Sequence, residues 1–349
     1  MLKVGVIFGG MSTEHDVSIV SGTSIIKNLD DKKYDIYPIY IDKNGNWYKY
    51  FDPNKNILEV GTNINVNERI INVTEYLNNL DVIFPVLHGL YGEDGTIQGL
   101  FELLKVPYVG CNVLSSCVGM DKVYTKIILD KAKINQAKYV YVRKYNNNYI
   151  YIDNEFNETI LPLKELSSKI INQLGLPLFV KPSNSGSSVG VNKAKTLEEL
   201  ENAIENASKY DKKILIEEFI DGHEVECAVI GNEDVKASCV GEILPAEDFY
   251  SFDAKYKNPN SAICIPANLP GNISDEIRAL AIKAFKAIDG KGLSRVDFFV
   301  EKASSRIYLN EINTMPGFTN ISMYPKLWEQ SGTSYGNLLD KLIELSLSK

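Results

Sequence analysis

Two neighbouring segments near the C-terminal end carry charged and amide side chains that could bind a metal ion together with phosphate. Side chains of a β-strand alternate between its two faces, so Arg295 and Asp297 share one face of the first segment. If residues 302–306 form a hairpin loop, Asp297 lies opposite Glu311 and Arg295 lies opposite Asn313. Two opposed carboxylates destabilise a sheet, so this register predicts a positive group between them.

Oxygen is the ligand atom that these carboxylate and amide side chains offer to a metal ion. Such a set favours Mg²⁺ or Mn²⁺, because zinc prefers nitrogen or sulfur. The same alternation predicts that Ile307 and Leu309 share the face of Glu311 and Asn313. Taken alone, the two segments fit an ordinary solvated hairpin equally well, and a register shifted by two residues would separate the carboxylates.

A glycine- and serine-rich segment, KPSNSGSSVGV at 181–191, lies between two strand-like runs and predicts a hairpin loop. Backbone N–H groups in such loops can bind phosphate oxygens, and Gly186 and Gly190 would allow close approach. The segment lacks the G-K-[ST] of a Walker loop, and the N-terminal GVIFGGMSTE does not match G-x-G-x-x-G. Without further evidence, a plain turn is the more common structure for such a sequence.

The segment KKILIEEFIDGHEVECAVIGN predicts two strands with a short break at Asp221 and Gly222. Three acidic residues flank this break: Glu217, Glu218 and Glu224. A break between strands could bind adenine and ribose through backbone groups and one carboxylate. A hairpin with exposed acidic side chains is the alternative.

Apolar periodicity elsewhere predicts an α/β layout that opens with a parallel sheet. LKVGVIFGG and the amphipathic stretch 17–29 predict a strand, a glycine turn and a helix, and YDIYPIYID and LDVIFPVLHG predict two further strands. A helix is predicted at 274–288, with Ser274 as its cap and Gly290 at its end. Two more helices are predicted, at 122–133 and 164–174. The Tyr- and Asn-rich stretch 139–157 predicts a surface strand and loop without an assigned function.

Composition narrows the class of protein. A chain of 349 residues is long enough for two or three domains. The net charge of −8 argues against a nucleic-acid-binding surface, although a local basic pocket for phosphate remains compatible with it. No apolar run reaches the ~20 residues that cross a bilayer, and no signal peptide precedes the first strand, so we expect a cytoplasmic protein that binds neither nucleic acid nor membrane. Five scattered cysteines and three separated histidines predict neither disulfides nor a zinc site.

Several motifs follow one another along the chain: GGMSTEHDVS, HGLYGEDGTIQG, MDK, VKPSNSGSSVG, LIEEFIDGHEVE, DAKY, RVDFF and NEINTMPGFT. Together they resemble the D-alanine–D-alanine ligases of the ATP-grasp superfamily, nearly from end to end. The resemblance implies an α/β (α+β) architecture of three domains. These would be an N-terminal parallel-sheet domain at 1–112, a central domain at 113–216 and a C-terminal domain at 217–349, with ATP gripped between the antiparallel sheets of the last two.

The resemblance also implies roles for individual residues. The nucleotide would be bound by Lys122, Lys181, Ser185, Gly186, Ser187, Ser188, Val189, Glu217, Glu218, Phe219, Ile220 and Glu224. Two Mg²⁺ ions, which Mn²⁺ can replace, would be bound by Asp297, Glu311 and Asn313. D-Alanine would be bound by Glu14, His88, Ser322 and Met323. The catalytic set would be Glu14, Ser187, Tyr256, Lys255, Arg295 and the backbone N–H of Gly317.

The activity implied is the ATP-dependent joining of two D-alanines through an acyl phosphate, for peptidoglycan synthesis, by a homodimer. The segment 249–262 would close over the site and exclude water. Tyr256 and Met323 match members that form the dipeptide, and ligases that use D-serine or D-lactate as second substrate are the alternative. A catalytically silent ATP-grasp regulator is a further alternative, disfavoured because such a protein would be expected to have lost a metal ligand or an oxyanion donor.

Overall fold

The computed structural model describes residues 1–66, 68–244 and 262–349, and these residues form three β-sheets. The first sheet contains β1 (Leu2–Gly9), β2 (Tyr34–Ile41), β3 (Trp47–Lys49), β4 (Glu68–Arg69) and β5 (Val82–Val86). The second contains β6 (Tyr139–Tyr145), β7 (Asn148–Ile152), β8 (Glu158–Leu161), β9 (Leu178–Pro182), β10 (Asn192–Ala194) and β11 (Lys213–Glu218). The third contains β12 (Gly222–Gly231), β13 (Lys236–Leu244), β14 (Ala262–Cys264), β15 (Gly292–Glu301) and β16 (Ile307–Asn313).

Helices connect and cover these sheets. In chain order they are α1 (His15–Asn28), α2 (Val73–Asn78), α3 (Thr96–Leu104), α4 (Val113–Met120), α5 (Lys122–Lys131), α6 (Leu163–Leu174), α7 (Leu197–Ala207), α8 (Gly271–Ala287), α9 (Met323–Gln330) and α10 (Tyr335–Leu347). Within the described parts of the chain, none of them has the length and apolar character needed to cross a membrane.

The first sheet has the strand order β4-β3-β2-β1-β5. Its centre is parallel as predicted, because β1 pairs in parallel with both β2 and β5. The edge strands β3 and β4 pair antiparallel, so the sheet as a whole is mixed. Core residues cover both faces of β1, with Ile7 in one buried cluster and Val6 and Phe8 in another. Burial on both sides explains the continuous apolar run that marks this strand in the sequence.

The second sheet has the order β10-β9-β11-β6-β7-β8 and is antiparallel throughout. Helices α6 and α7 cover one face, where Leu166, Ile170 and Leu200 are fully buried with Val180. The Tyr- and Asn-rich stretch contributes the hairpin β6–β7 rather than a strand and a loop. The other face carries the side chains that reach the site.

The third sheet has the order β14-β13-β12-β15-β16 and is also antiparallel. Helix α8 packs its apolar stripe, including Ile277 and Phe285, against this sheet. The helix begins at Gly271, three residues before the predicted start, and its N-cap residue is Pro270 rather than Ser274. Pro270 fixes the chain at φ −53° with an extended ψ, which is suited to the residue before a helix.

The predicted break at Asp221 and Gly222 lies between two sheets. Strand β11 belongs to the second sheet and β12 to the third, so the segment is not a hairpin. The expected limit between residues 216 and 217 falls inside β11, which ends at Glu218. A division of the chain along its sheets would therefore come after Glu218, and the domain limits themselves stay a prediction.

Candidate active site

The hairpin β15–β16 has the predicted pairing of charged residues: Asp297 lies opposite Glu311, and Arg295 lies opposite Asn313. The register shifts between Asp297 and Phe298, where Asn310 is the extra residue of a β-bulge. The prediction that Ile307 and Leu309 share the face of Glu311 is therefore wrong. Ile307 pairs with Val300 and Leu309 with Phe298, and all four lie in the buried core cluster.

Arg295 is the positive group at this strand pair. Its Nε donates to Oδ1 of Asp297 at 2.8 Å and its Nη2 donates to Oδ2 at 2.7 Å. Nε also lies 3.0 Å from Oε2 of Glu226 on β12. Burial on its own would lower the pKa of Arg295, but Asp297 and Glu226 outweigh burial and raise it. Asn313 completes the cluster, since its Nδ2 donates to Oδ2 of Asp297 at 3.0 Å.

The predicted metal ligands fit a cation that arrives with phosphate. Among the described residues, no group of three His, Cys, Asp or Glu side chains could hold a metal by itself. Asp297, Glu311 and Asn313 offer two carboxylates and one amide oxygen. Mg²⁺ is commonly bound by one or two carboxylates, water and the phosphates of its substrate. The donor set therefore suits Mg²⁺ carried by a nucleotide.

The serine- and glycine-rich segment forms the predicted hairpin loop between β9 and β10. Lys122, the first residue of α5, donates from Nζ to the Ser185 carbonyl at 2.7 Å and lies 3.7 Å from Oε2 of Glu311. Ser187 and Ser188 have φ values of 48° and 59°, which non-glycine residues adopt rarely. Lys122 thus contacts both the loop and Glu311, one of the predicted metal ligands.

A buried aspartate fixes the base of this loop. Asp121 caps α5 by accepting from the backbone N–H groups of Val123 and Tyr124. It also accepts from Oγ of Ser183 at 2.6 Å and from Nζ of Lys213. Burial would raise the pKa of Asp121, but the hydrogen bonds from Lys213 and Ser183 lower it. The start of α5 and the start of the loop are therefore held together by one ionised side chain.

Glu14, the N-cap residue of α1, contacts the same loop. Ser187 donates from Oγ to Oε1 of Glu14. A Cβ atom at Gly186 or at Gly89 would overlap the Glu14 carboxylate, so a side chain at either position would displace that carboxylate. Glu14 is 9% exposed. Glu14 and Ser187, both members of the predicted catalytic set, are thus in contact, and the loop approaches Glu14 at Gly186, a position without a side chain.

Lys181 lies on β9, on the face of the second sheet opposite α6 and α7. Its Nζ is 2.7 Å from Oε2 of Glu217, and Nζ of Lys126 is 2.6 Å from Oε1 of the same carboxylate. Burial opposes ionisation, but the charges of Lys126 and Lys181 lower the pKa of Glu217 to about 2. Lys181 also donates to Oδ1 of Asn310 at 3.2 Å. Burial would lower the pKa of Lys181, yet Glu217 raises it, so both side chains stay charged.

His88 lies under the segment that follows β16. Its Nδ1 is 3.0 Å from the Met315 carbonyl and its Nε2 is 3.0 Å from Oγ of Ser21. Burial lowers the pKa of His88, which favours the neutral imidazole. Burial and the charge of Glu14 raise the pKa of the neighbouring Glu93 to about 8.

Two adjoining cavities contain most of the predicted residues. The larger, about 610 Å³, lies between the second and third sheets, and its size is that of a site for a nucleotide-sized ligand. The smaller, about 130 Å³, lies between the first sheet and the third. Both are lined by Lys122, Ser185, Ser187, Ile243 and Glu311. A ligand that contacts these five residues from one cavity therefore contacts residues that also line the other cavity.

The predicted residues divide between these cavities. The larger is also lined by Lys181, Ser188, Glu217, Glu218, Phe219, Ile220 and Glu224. The smaller is also lined by Glu14, His88, Gly186, Arg295, Asn313, Gly317, Ser322 and Met323. Asp297 and Val189 line neither cavity; Asp297 is 3% exposed and both of its carboxylate oxygens accept from Arg295. Lys255, Tyr256 and nearly all of the segment 249–262 lie outside the described residues.

Sequence reasoning did not select several residues that complete the site. They are Ser21, Glu93, Asp121, Lys126 and Glu226. Glu226 could have been found, because strand alternation places it on the face of Glu224. Asp121 could have been found only as the N-cap of α5. Ser21 and Lys126 carry no periodic signal, since their partners Phe318 and Glu217 lie far away in the sequence.

A nucleotide-sized cavity between two antiparallel sheets, lined by lysines, a serine-glycine loop and the Glu311 carboxylate, defines an ATP-grasp enzyme. Residues 3–111 match the family model for the D-ala D-ala ligase N-terminus, and residues 128–344 match the model for its C-terminus. The D-alanine–D-alanine ligase of Acetivibrio thermocellus is 50% identical, over 99% of this chain and 96% of its own length. That of Clostridium acetobutylicum is 49% identical, over 99% of this chain and 98% of its own. The chain belongs to the family of D-alanine–D-alanine ligases.

Solved structures agree with this assignment. The D-alanine–D-alanine ligase of Coxiella burnetii superposes with a TM-score of 0.80 at 35% identity, over 99% of this chain and 94% of its own. The VanG D-Ala:D-Ser ligase of Enterococcus faecalis superposes with a TM-score of 0.81 at 36% identity, over 99% of both chains. The predicted three-sheet architecture is confirmed.

Proposed function

We propose that this protein joins two D-alanine molecules into D-alanyl-D-alanine, with ATP converted to ADP and phosphate, as a step in peptidoglycan synthesis. The observation that carries the proposal is the wall shared by the two cavities. A nucleotide in the larger cavity would present its terminal phosphate at Lys122, the 185–187 loop and Glu311. A small amino acid in the other cavity would then reach that phosphate without leaving its site.

The larger cavity would bind ATP with its phosphates toward Lys122 and Lys181. The loop that contains Ser185, Gly186, Ser187, Ser188 and Val189 would cover them, because backbone N–H groups in such loops bind phosphate oxygens. The base and ribose would lie toward Glu217, Glu218, Phe219, Ile220 and Glu224. Two Mg²⁺ ions, or Mn²⁺, bound by Asp297, Glu311 and Asn313 would neutralise charge on the phosphates.

The smaller cavity would bind both amino acids. Glu14, whose carboxylate accepts a hydrogen bond from Ser187, would pair with the ammonium group of the first D-alanine. Because the Glu14 side chain is largely buried, that ion pair would be stronger than one in water. Ser322 would bind the carboxylate of the second. Its Oγ now accepts from the Thr319 backbone N–H at 3.0 Å, which fixes the hydroxyl at the cavity wall.

The first step activates a poor acyl donor. A carboxylate oxygen of the first D-alanine attacks the γ-phosphorus, the bond from that phosphorus to the β,γ-bridging oxygen breaks, and ADP leaves. The side chains of Lys122 and Lys181, and Lys255 outside the described residues, would stabilise the negative charge that gathers on these oxygens.

The second step forms the amide. The amine nitrogen of the second D-alanine attacks the acyl carbon, the carbon–oxygen bond to phosphate breaks, and the amine loses its extra proton. The tetrahedral oxyanion formed on the way needs positioned donors. Arg295 and the backbone N–H of Gly317 line the same cavity and would supply them.

D-Alanine is the proposed second substrate, with D-serine and D-lactate as the alternatives. Met323 is 6% exposed and places an apolar side chain beside Ser322 at the start of α9. An apolar wall favours a methyl group, although such walls reject an added hydroxyl only weakly. We further propose that the enzyme is cytoplasmic and homodimeric, as its family resemblance implies. Light scattering of the purified protein tests the dimer.

The decisive experiment measures ADP release by the purified protein with ATP, Mg²⁺ and D-alanine, together with mass spectrometry of the product. D-Alanine should stimulate ADP release and yield the dipeptide, whereas L-alanine should do neither. Adding D-serine or D-lactate beside D-alanine tests the second substrate, because a mixed product in excess of the dipeptide would overturn that assignment. ATP binding without ADP release that depends on a D-amino acid would instead indicate a silent regulator.

A further inference from the structure

Ser21 is a fully buried residue on α1 that lines neither of the two cavities described above, yet it connects two distant parts of the chain. Its Oγ accepts from the backbone N–H of Phe318 at 3.1 Å, across 297 residues of sequence. The same oxygen lies 3.0 Å from Nε2 of His88. A serine hydroxyl can donate once and accept as well, so Ser21 can satisfy both partners.

The direction of these hydrogen bonds follows from the third contact. Nδ1 of His88 lies 3.0 Å from the Met315 carbonyl, which can only accept. Nδ1 therefore carries the proton, and Nε2 of the neutral ring is an acceptor. The Ser21 hydroxyl must then donate to Nε2 while its oxygen accepts from Phe318. One oriented chain of three hydrogen bonds results.

These three hydrogen bonds hold the segment 315–318 on both sides of Gly317. His88 holds the carbonyl of Met315, and Ser21 holds the N–H of Phe318. The Phe318 carbonyl accepts from the Tyr335 hydroxyl at 2.8 Å, so the segment is fixed on its far side as well. A Cβ atom at Gly317 would lie 2.6 Å from Oγ of Ser322, so a side chain there would displace that hydroxyl.

We infer that Ser21 is a positioning residue for amide formation, which aims the Gly317 N–H at the oxygen of the acyl group under attack, through His88 and the 315–318 backbone. The inference rests on the proposed function, in which Gly317 donates to the tetrahedral oxyanion. A donor stabilises such a charge only when it is fixed in advance, and a displacement of about 1 Å can cost roughly 100-fold in rate. The role assigned to His88 here is to orient the backbone.

Ser21→Ala removes both hydrogen bonds, and Ser21→Thr retains the hydroxyl. The matched control is Ser18→Ala. Ser18 lies one turn earlier on α1, is equally buried and also makes two hydrogen bonds, but its partners are the Gly9 N–H and the Val86 carbonyl within the first sheet. Both alanine variants therefore lose a buried serine of the same helix. Only one of them loses contact with the 315–318 segment.

Two rates are measured for each protein. Dipeptide formation reports the complete reaction. Positional isotope exchange in ATP labelled with ¹⁸O at the β,γ bridge reports reversible transfer of the γ-phosphoryl group, which precedes amide formation. We expect Ser21→Ala to lower kcat for the dipeptide by about 10- to 100-fold, with isotope exchange and the KM for ATP within about twofold of the parent. Ser21→Thr should recover kcat to within about threefold, and Ser18→Ala should keep it.

Three results would overturn the inference. They are an unchanged kcat in Ser21→Ala, an equal loss of isotope exchange and dipeptide formation, and an equal loss of kcat in Ser18→Ala. If Ser21→Thr does not fold, the comparison of Ser21→Ala with Ser18→Ala decides alone. Failure of the proposed function is a different observation, because the unmodified protein would then release no ADP in response to D-alanine.

Discussion

Replacing Glu217 by Gln should destabilise the protein strongly, because one carboxylate neutralises two buried lysines. Glu217 is 3% exposed and lies 2.6 Å from Lys126 and 2.7 Å from Lys181. Its pKa falls from an ordinary 4.5 to about 2. At about 1.4 kcal/mol for each tenfold change in proton affinity, this fall corresponds to roughly 3 kcal/mol of stability at neutral pH.

The variant also leaves Lys126 buried with its charge uncompensated, and breaking a buried pair in this way costs about 3–5 kcal/mol. We therefore expect Glu217→Gln to lower the free energy of unfolding by about 3–5 kcal/mol, measured by urea denaturation at pH 7. Glu218→Gln is the matched control. Glu218 contacts Lys138 at the surface, where such pairs contribute about 0–1 kcal/mol.

The pH dependence gives an independent test of the same ion cluster. The folded-state pKa of Glu217 is depressed, so its contribution is fully present above about pH 4.5 and is lost as the pH falls toward 2. Glu217→Gln should lack this part of the acid-induced loss. A double variant that adds Lys126→Met should be more stable than Glu217→Gln, because it removes the unpaired charge. A Glu217→Gln protein as stable as its parent at pH 7 would refute the reasoning.

Three further predictions follow from the site. Asp297→Asn should lower ADP release at least ~100-fold because the carboxylate is assigned to a metal, and it should also lower the melting temperature because it breaks the buried pair with Arg295. ADP release is therefore measured well below that melting temperature, and undiminished release would exclude the metal role. Gly186→Ala should raise the KM for D-alanine at least ~10-fold because a Cβ atom would overlap the Glu14 carboxylate, whereas Gly99→Ala, which meets nothing within 4 Å, should leave it unchanged. The raised pKa of Glu93 gives stability that is present below about pH 4.5 and lost as the pH rises through about 8. Glu93→Gln should therefore unfold at a higher urea concentration than the parent at pH 9 but not at pH 5. The same difference in unfolding midpoint at both pH values would contradict this.

The hairpin β15–β16 shows what local sequence can predict. Alternation and loop length identified the pairing of Asp297 with Glu311 and of Arg295 with Asn313. They did not reveal the bulge at Asn310, because strict alternation has no place for an extra residue. Next to the loop, each residue of β15 pairs with the residue of β16 one position earlier than predicted, and the extra residue Asn310 restores the predicted pairing beyond it. The prediction therefore held for the charged residues and failed for Ile307 and Leu309.

The residues that support the site could not be read from the chain in the same way. Ser21 meets Phe318 across 297 residues, and His88 meets Met315 across 227. A serine within an amphipathic helix carries no sign of such a partner. Lys126 likewise looks like a surface lysine of α5, yet it is 2% exposed because the second sheet packs over it.

The α/β layout, the serine-glycine hairpin loop and the set of charged groups could be predicted from the residues, because they depend on periodicity, glycine placement and residue type over short distances. Which charges neutralise one another depends instead on the packing of distant parts of the chain. Glu217 is ionised between two lysines, Arg295 is shared by Asp297 and Glu226, and burial lowers the pKa of His88. Electrostatic interaction depends on distance and burial in space, and both quantities are set only when three separate sheets pack around common cavities.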